Sequence, residues 1–305
     1  MSFNFSILGE NKLLNSHLDS ISIFDALIIM ISEKPIVSIL KIIQENANEK
    51  ELSWIDSKSV NSQFLPMAFV AVPRFIGKRV IGSKINNLNG LQMQYWTLDR
   101  LVRVYFLLLL EELSPVNFAS QVETLFDTAE INESIALFSA LPLFSQPENW
   151  VHRATEAVRS NIGDVFNSLA FANPFPAAYF TELAWNQLVL KCIFNDKPIH
   201  LIQGIDQRAN QTLANTLSDF AHERWAAGRT VPAQVWRLVV KFLSNGILDD
   251  MSILFLSNDT NNKIAATLVC SNSLVGSDLL LKYPLDNQES MLLEQGWKFL
   301  ENVQS

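Results

Sequence analysis

Along most of the chain apolar residues recur at spacings of three and four, and segments that alternate strictly in twos are few. The pattern predicts an all-α protein. Amphipathic runs lie near residues 10–32, 35–55 and 58–72, with Pro35 and Pro66 near their starts or breaks. After a loop at 89–95, residues 96–113 form a helix apolar on nearly every side, as a central core element requires.

Shorter paired helices are expected next. Residues 118–126 and 131–141 are joined by Asp127-Thr128-Ala129-Glu130, whose first residues can cap the second helix, and Pro142 follows its end. This is an αα-hairpin, the unit of α-solenoids. Ser145 and Glu148 have capping-box spacing, which predicts one long helix from about 147 to 172. On it Trp150, Ala154 and Val158 face inward, while His152 lies on the solvated side with Glu156 one turn on. Residues 249–284 carry further apolar periods around a polar SNDTNN turn (257–262), and a last helix is expected at 289–303. The reading is one α-solenoid-like body over 1–305, with residues 246–305 as a HEAT-like terminal cap.

Composition narrows the classes. The 49% hydrophobic and 18% charged residues suit a folded globular chain of 305 residues. A net charge of -8 opposes a basic footprint for nucleic acid. The greasiest runs, 21–31 and 101–110, are shorter than a membrane span and contain Asp25 and Arg103, so no membrane insertion is expected. The N-terminus lacks a basic and apolar export signal, and the two cysteines, Cys192 and Cys270, lack CxxC spacing. Both features fit a reducing cytoplasm. The GKRVIGSK run (77–84) approximates a phosphate loop, but Ser83 precedes Lys84, the reverse of the required order, so it reads as a basic loop.

Chemistry concentrates in residues 173–241, which hold two of the four histidines and three of the seven tryptophans. Glu182 and Asn186 fall on one otherwise apolar helix face, where burial would demand partners: Arg208, Arg224 or a ligand. Asn210 can cap the helix that follows, Gly228 can stop it in the left-handed conformation, and Thr230 and Pro232 begin another carrying Trp236. Asp219 or Ser218 is spaced to orient His222. Three readings stay open. The first is a general-base site, as in a hydrolase using His222 or His200 with Glu182 or Asp206. The second is a structural tie between helices through His222, Glu223, Arg224 and Trp225. The third is a recognition surface in which tryptophan and arginine are anchors. The ligand- or partner-binding candidates are Glu182, Asn186, His200, Asp206, Arg208, His222, Arg224 and Trp225. No metal spacing such as HExxH is present, so no metal, cofactor or catalytic residue is assigned.

The runs NPFPAAYFTELAWNQLVLK, IQGIDQRAN and AHERWAAGRTVPAQVWR together resemble the EboA family of metabolite traffic proteins. AFVAVPRFIGK (68–78), FDTAEINESIALFSALPLF and RATEAVRSNIGDVF (153–166) extend the likeness to about 65–305. The resemblance implies a soluble protein without an established reaction, encoded with a prenyltransferase-like membrane protein and enzyme-like partners. It would move secondary-metabolite precursors toward the periplasm. The expected partners are therefore a small secondary metabolite, operon-encoded proteins and a peripheral contact with a membrane protein. No catalytic residue carries over from the resemblance.

Overall fold

A computed structural model describes residues 34–82 and 87–301. The run 10–32, the end of the GKRVIGSK loop and the end of the last predicted helix lie outside them. The all-α expectation holds. The helices are α1 (Pro35–Asn46), α2 (Glu49–Ser59), α3 (Leu65–Ala71), α4 (Leu98–Leu113), α5 (Pro115–Thr128), α6 (Ile131–Ala140), α7 (Val151–Arg159) and α8 (Gly163–Ala170). They continue as α9 (Phe175–Tyr179), α10 (Glu182–Phe194), α11 (Gln211–Ala226), α12 (Asn245–Phe255), α13 (Thr260–Cys270), α14 (Ser277–Lys282), α15 (Asn287–Leu293) and α16 (Trp297–Glu301). Among the described residues no helix is long and apolar enough to cross a membrane.

The centre is α4, as its all-round apolar pattern requires. It buries residues from Leu98 to Leu110 and packs against α1, α3, α5 and α6, while α6 in turn packs on α8. Buried apolar side chains from Ile39 to Leu300 form one continuous cluster. Two charged groups share this core: Arg103 and Asp99, both almost fully buried, meet at 3.2 Å.

Several predicted helices are broken, each for a chemical reason. The 35–55 run splits because Asn48 caps α2, with Glu51 reaching back to its amide. The 147–172 run splits at Ser160, where the Lys191 ammonium reaches from α10 to take the Val158 and Ser160 carbonyls that end α7. The Ser145 capping box does not form, because its amide and hydroxyl both donate to Glu111 on α4. Glu130, rather than Asp127 or Thr128, caps α6. Gly296, in the left-handed region at φ 59°, divides the last predicted helix into α15 and α16. His152 lies on the surface as expected, but its Nε2 faces Glu123 at 3.0 Å.

The loop expected at 89–95 contains a two-residue hairpin, β1 (Asn87–Leu88) against β2 (Leu91–Gln92). Asn89 and Gly90 both have positive φ, the turn that Asn-Gly favours. The hairpin is tied back to the body where Gln92 donates to the Ala172 carbonyl at 2.9 Å and Gln203 donates to the Gly90 carbonyl.

The basic loop is also pinned. Glu51 takes two bonds from the Arg79 guanidinium, at 2.8 and 2.6 Å, and one from the Gly77 amide at 2.9 Å. Chiefly through Arg79, and against the opposing effect of burial, the Glu51 carboxyl falls from the ordinary 4.5 to about 2. A depressed folded-state value means the stabilisation is complete above pH 4.5 and drains as pH falls toward 2. Glu51→Gln should therefore cost about 1–2 kcal/mol at neutral pH, Arg79 being half exposed, and should flatten the acid limb of the stability curve. Denaturant melts at pH 7 and pH 3 check both effects.

Candidate functional site

Residues 173–241 are organised by internal bonds. The buried Asn173 amide donates to the Phe138 and Ser168 carbonyls, and its oxygen accepts from the Phe175 amide, fixing the entry into α9. Arg208 closes the other end of that helix. It donates to the carbonyls of Pro176, Ala177 and Phe180 at 2.9–3.1 Å, while its guanidinium lies 4.9 Å above the buried Trp185 ring. Burial pulls the Arg208 pKa below its ordinary value, opposed by the nearby Glu182 charge.

The Glu182/Asn186 face behaves differently at its two positions. Asn186 is buried and exchanges amide bonds with Asn210 at 2.8 and 3.2 Å, so an asparagine answers it rather than an arginine or a ligand. Glu182 occupies the first turn of α10, is exposed, and accepts from the Thr212 hydroxyl at 3.2 Å. A helical projection misplaced it because the turn beside Thr181 projects beyond the core. Asn210 caps α11 through the Leu213 amide, and Gly228 stops it at φ 68°, both as the sequence predicts. The segment with Trp236 is a 3-10 helix, Ala233–Val239.

At the far end of α11, His222 is oriented by a residue the sequence did not offer. Its Nε2 lies 2.7 Å from Oδ1 of Asp250, a fully buried carboxylate on α12, and the Ser218 hydroxyl donates to the other oxygen at 2.5 Å. Burial pushes the Asp250 carboxyl up, against the Ser218 hydrogen bond and the His222 charge. Asp219, the expected partner, is exposed. The Trp225 ring meets the imidazole edge-on at 5.4 Å and stacks on Trp236 at 5.9 Å. Arg224 donates to the Thr230 carbonyl at 2.6 Å and covers Phe220.

The remaining candidates stand elsewhere. His200 faces Gln234 at 3.4 Å, while Asp206 forms a two-point pair with Arg237, which also holds Glu301 at 2.8 Å. The eight residues thus fall into separate networks rather than one cleft. The Ser218 proton goes to Asp250 and not to His222, so that trio does not hand a hydroxyl proton to the imidazole. Burial pushes the thiols of Cys192 and Cys270 up to about 12 and 11, far from the thiolate range. Among the described residues no group of three or more His, Cys, Asp or Glu is placed to hold a metal.

Two clefts lie apart from these residues. A cleft of about 340 Å³ opens between the hairpin, the start of α4 and the first turns of α8, with Tyr95, Trp96, Arg100, Asp164, Asn167 and Phe171 among its walls. A second, of about 400 Å³, is more apolar and lies between the starts of α1 and α5. None of the eight candidates lines either. The first cleft is framed by two non-glycine residues of positive φ, Tyr95 at 68° and Ala172 at 56°, a conformation that tertiary context must impose.

The family model described as metabolite traffic protein EboA matches residues 36–240. The chain belongs to the EboA family. No curated protein and no solved structure matches it. The EboA match contains the whole Arg100 cleft and all of 173–240, but ends before Asp250, so the carboxylate that orients His222 lies outside it. Within the EboA region sequence reasoning passed over Arg100, Trp96 and Asn167. The Asn-Gly dipeptide could have signalled the hairpin wall; nothing local signals an arginine without a counter-ion.

Proposed function

We propose that the protein is a non-catalytic binding and adaptor protein. It takes part, in the cytoplasm and together with proteins encoded beside it, in moving a secondary-metabolite precursor toward the periplasm. The observation that carries this reading is the EboA match over residues 36–240, a family described by metabolite traffic. The net charge of -8 supports small-molecule and protein partners over phosphate backbones. The partly exposed Trp225 and Arg224 offer an aromatic ring and a guanidinium to a partner protein.

The His222–Asp250 contact favours a second reading, a hydrolase-type enzyme in which the buried carboxylate orients an imidazole base. Complementation of a deletion strain in the producing host separates the two. With His222→Ala and Glu182→Gln, the binding role predicts metabolite output close to that of the unaltered protein. A loss of about a hundredfold or more, the size that follows removal of a general base, would instead establish the enzyme.

A further inference from the structure

We propose that the cleft between the 87–92 hairpin and α8 is a small-molecule site, and that Arg100 is its anchor for the carboxylate of a compact aromatic ligand. The biological purpose rests on the binding role above; the chemistry rests on the cleft alone.

Arg100, like Arg208, is drawn into the body without a carboxylate partner, but Arg208 spends its guanidinium on three backbone carbonyls while other arginines are paired. Arg79 pairs with Glu51, Arg103 with Asp99, Arg153 with Glu123 and Arg237 with Asp206. Among the described residues no carboxylate lies within ion-pair distance of Arg100. Among the described residues its acceptor is the Ser139 hydroxyl, which takes Nε–H at 2.9 Å and Nη2–H at 2.6 Å. The Ser139 proton is committed to the Ile135 carbonyl, so this buried oxygen presents lone pairs to the guanidinium. One edge of the fork is therefore filled. The other edge, Nη1 with the second hydrogen of Nη2, is left open, and two parallel N–H groups there match the two oxygens of a carboxylate.

The side chain is also held in place. Its guanidinium carbon lies 4.0 Å from the centre of the Trp96 ring, a cation–π contact that fixes the plane from below. Burial draws its pKa down to about 9, opposed by the Asp99 charge, so the group stays charged at neutral pH. Around it the walls are partly aromatic, from Tyr95, Trp96 and Phe171, and Asn167, whose oxygen is occupied by the Lys197 ammonium at 2.8 Å, keeps its amide hydrogens for a ligand. A volume of about 340 Å³ lies within the range of small-ligand sites. Asp164 on the rim brings one negative charge of its own. A single guanidinium facing that charge suits a monoanionic carboxylate better than a phosphate dianion.

Calorimetric titration of the purified full chain with 2-naphthoate and with its neutral isostere 2-naphthamide tests this. Binding of the acid about tenfold or more tighter than the amide is expected, which is ~1.4 kcal/mol. Arg100→Gln should abolish that preference, and Arg100→Lys should restore part of it, since lysine keeps the charge without the fork. If the glutamine variant fails to fold, the acid-to-amide ratio on the unaltered protein decides alone. Equal binding of acid and amide, no heat from either at about 1 mM, or displacement of the acid by an equal concentration of inorganic phosphate would overturn the proposal. Its failure is separable from that of the traffic role. A deletion strain that loses metabolite export while naphthoate does not bind removes only the cleft; naphthoate binding with export intact removes only the traffic role.

Discussion

Replacing Arg103 with alanine should destabilise the protein by about 3–5 kcal/mol, a large part of the stability of an ordinary domain. Arg103 is fully buried on α4. Its Nη1 pairs with Asp99 at 3.2 Å, its Nε donates to the Phe69 carbonyl at 3.2 Å, and its Nη2 lies 3.7 Å from Glu130. Truncation strands Asp99 as an uncompensated charge inside the core and opens a cavity beside the Phe69 ring. The pair itself need not stabilise, because taking both charges out of water offsets much of their attraction. Arg103→Met with Asp99→Leu should therefore recover most of the loss. Urea unfolding of the three proteins checks this: a single variant as stable as the parent, or a double variant no better than the single, would contradict a buried ion pair at this position.

Trp236→Ala should cost a comparable amount, about 3–5 kcal/mol. The ring is fully buried in the 3-10 helix that packs on α11 and α13, and it carries the stack that positions Trp225 against His222. Among the described residues its indole N–H has no acceptor, so Trp236→Phe removes an unsatisfied donor along with some volume and should cost far less. The pair of variants separates packing from hydrogen bonding. Near-equal losses for alanine and phenylalanine would point to a polar role for the indole.

Features that depend on neighbouring residues were legible in the sequence. The all-round apolar character of α4, the Asn210 cap and the Gly228 stop follow from short-range chemistry, and the structure places each as read. The errors arose where a distant group competed for a local one. Ser145 could have capped its own helix, but Glu111 takes its amide and hydroxyl; residues 147–172 could have run on, but Lys191 claims the carbonyls that end α7. The candidate chemistry divides in the same way. His222 stood out by spacing, yet its partner Asp250 belongs to another helix pair, and Asp219 beside it faces solvent. Arg100 was illegible for the opposite reason. Its distinguishing feature is a guanidinium edge left open beside a cleft, and no window of sequence displays that.

We propose that this EboA-family chain moves a metabolite rather than making one. The most direct test is to quantify the pathway precursor in cytoplasmic and periplasmic fractions of the host with and without the gene. Loss of the protein should leave total precursor unchanged while the periplasmic share collapses and the cytoplasmic share rises. An unaltered partition, or disappearance of the precursor from both fractions, would contradict the claim.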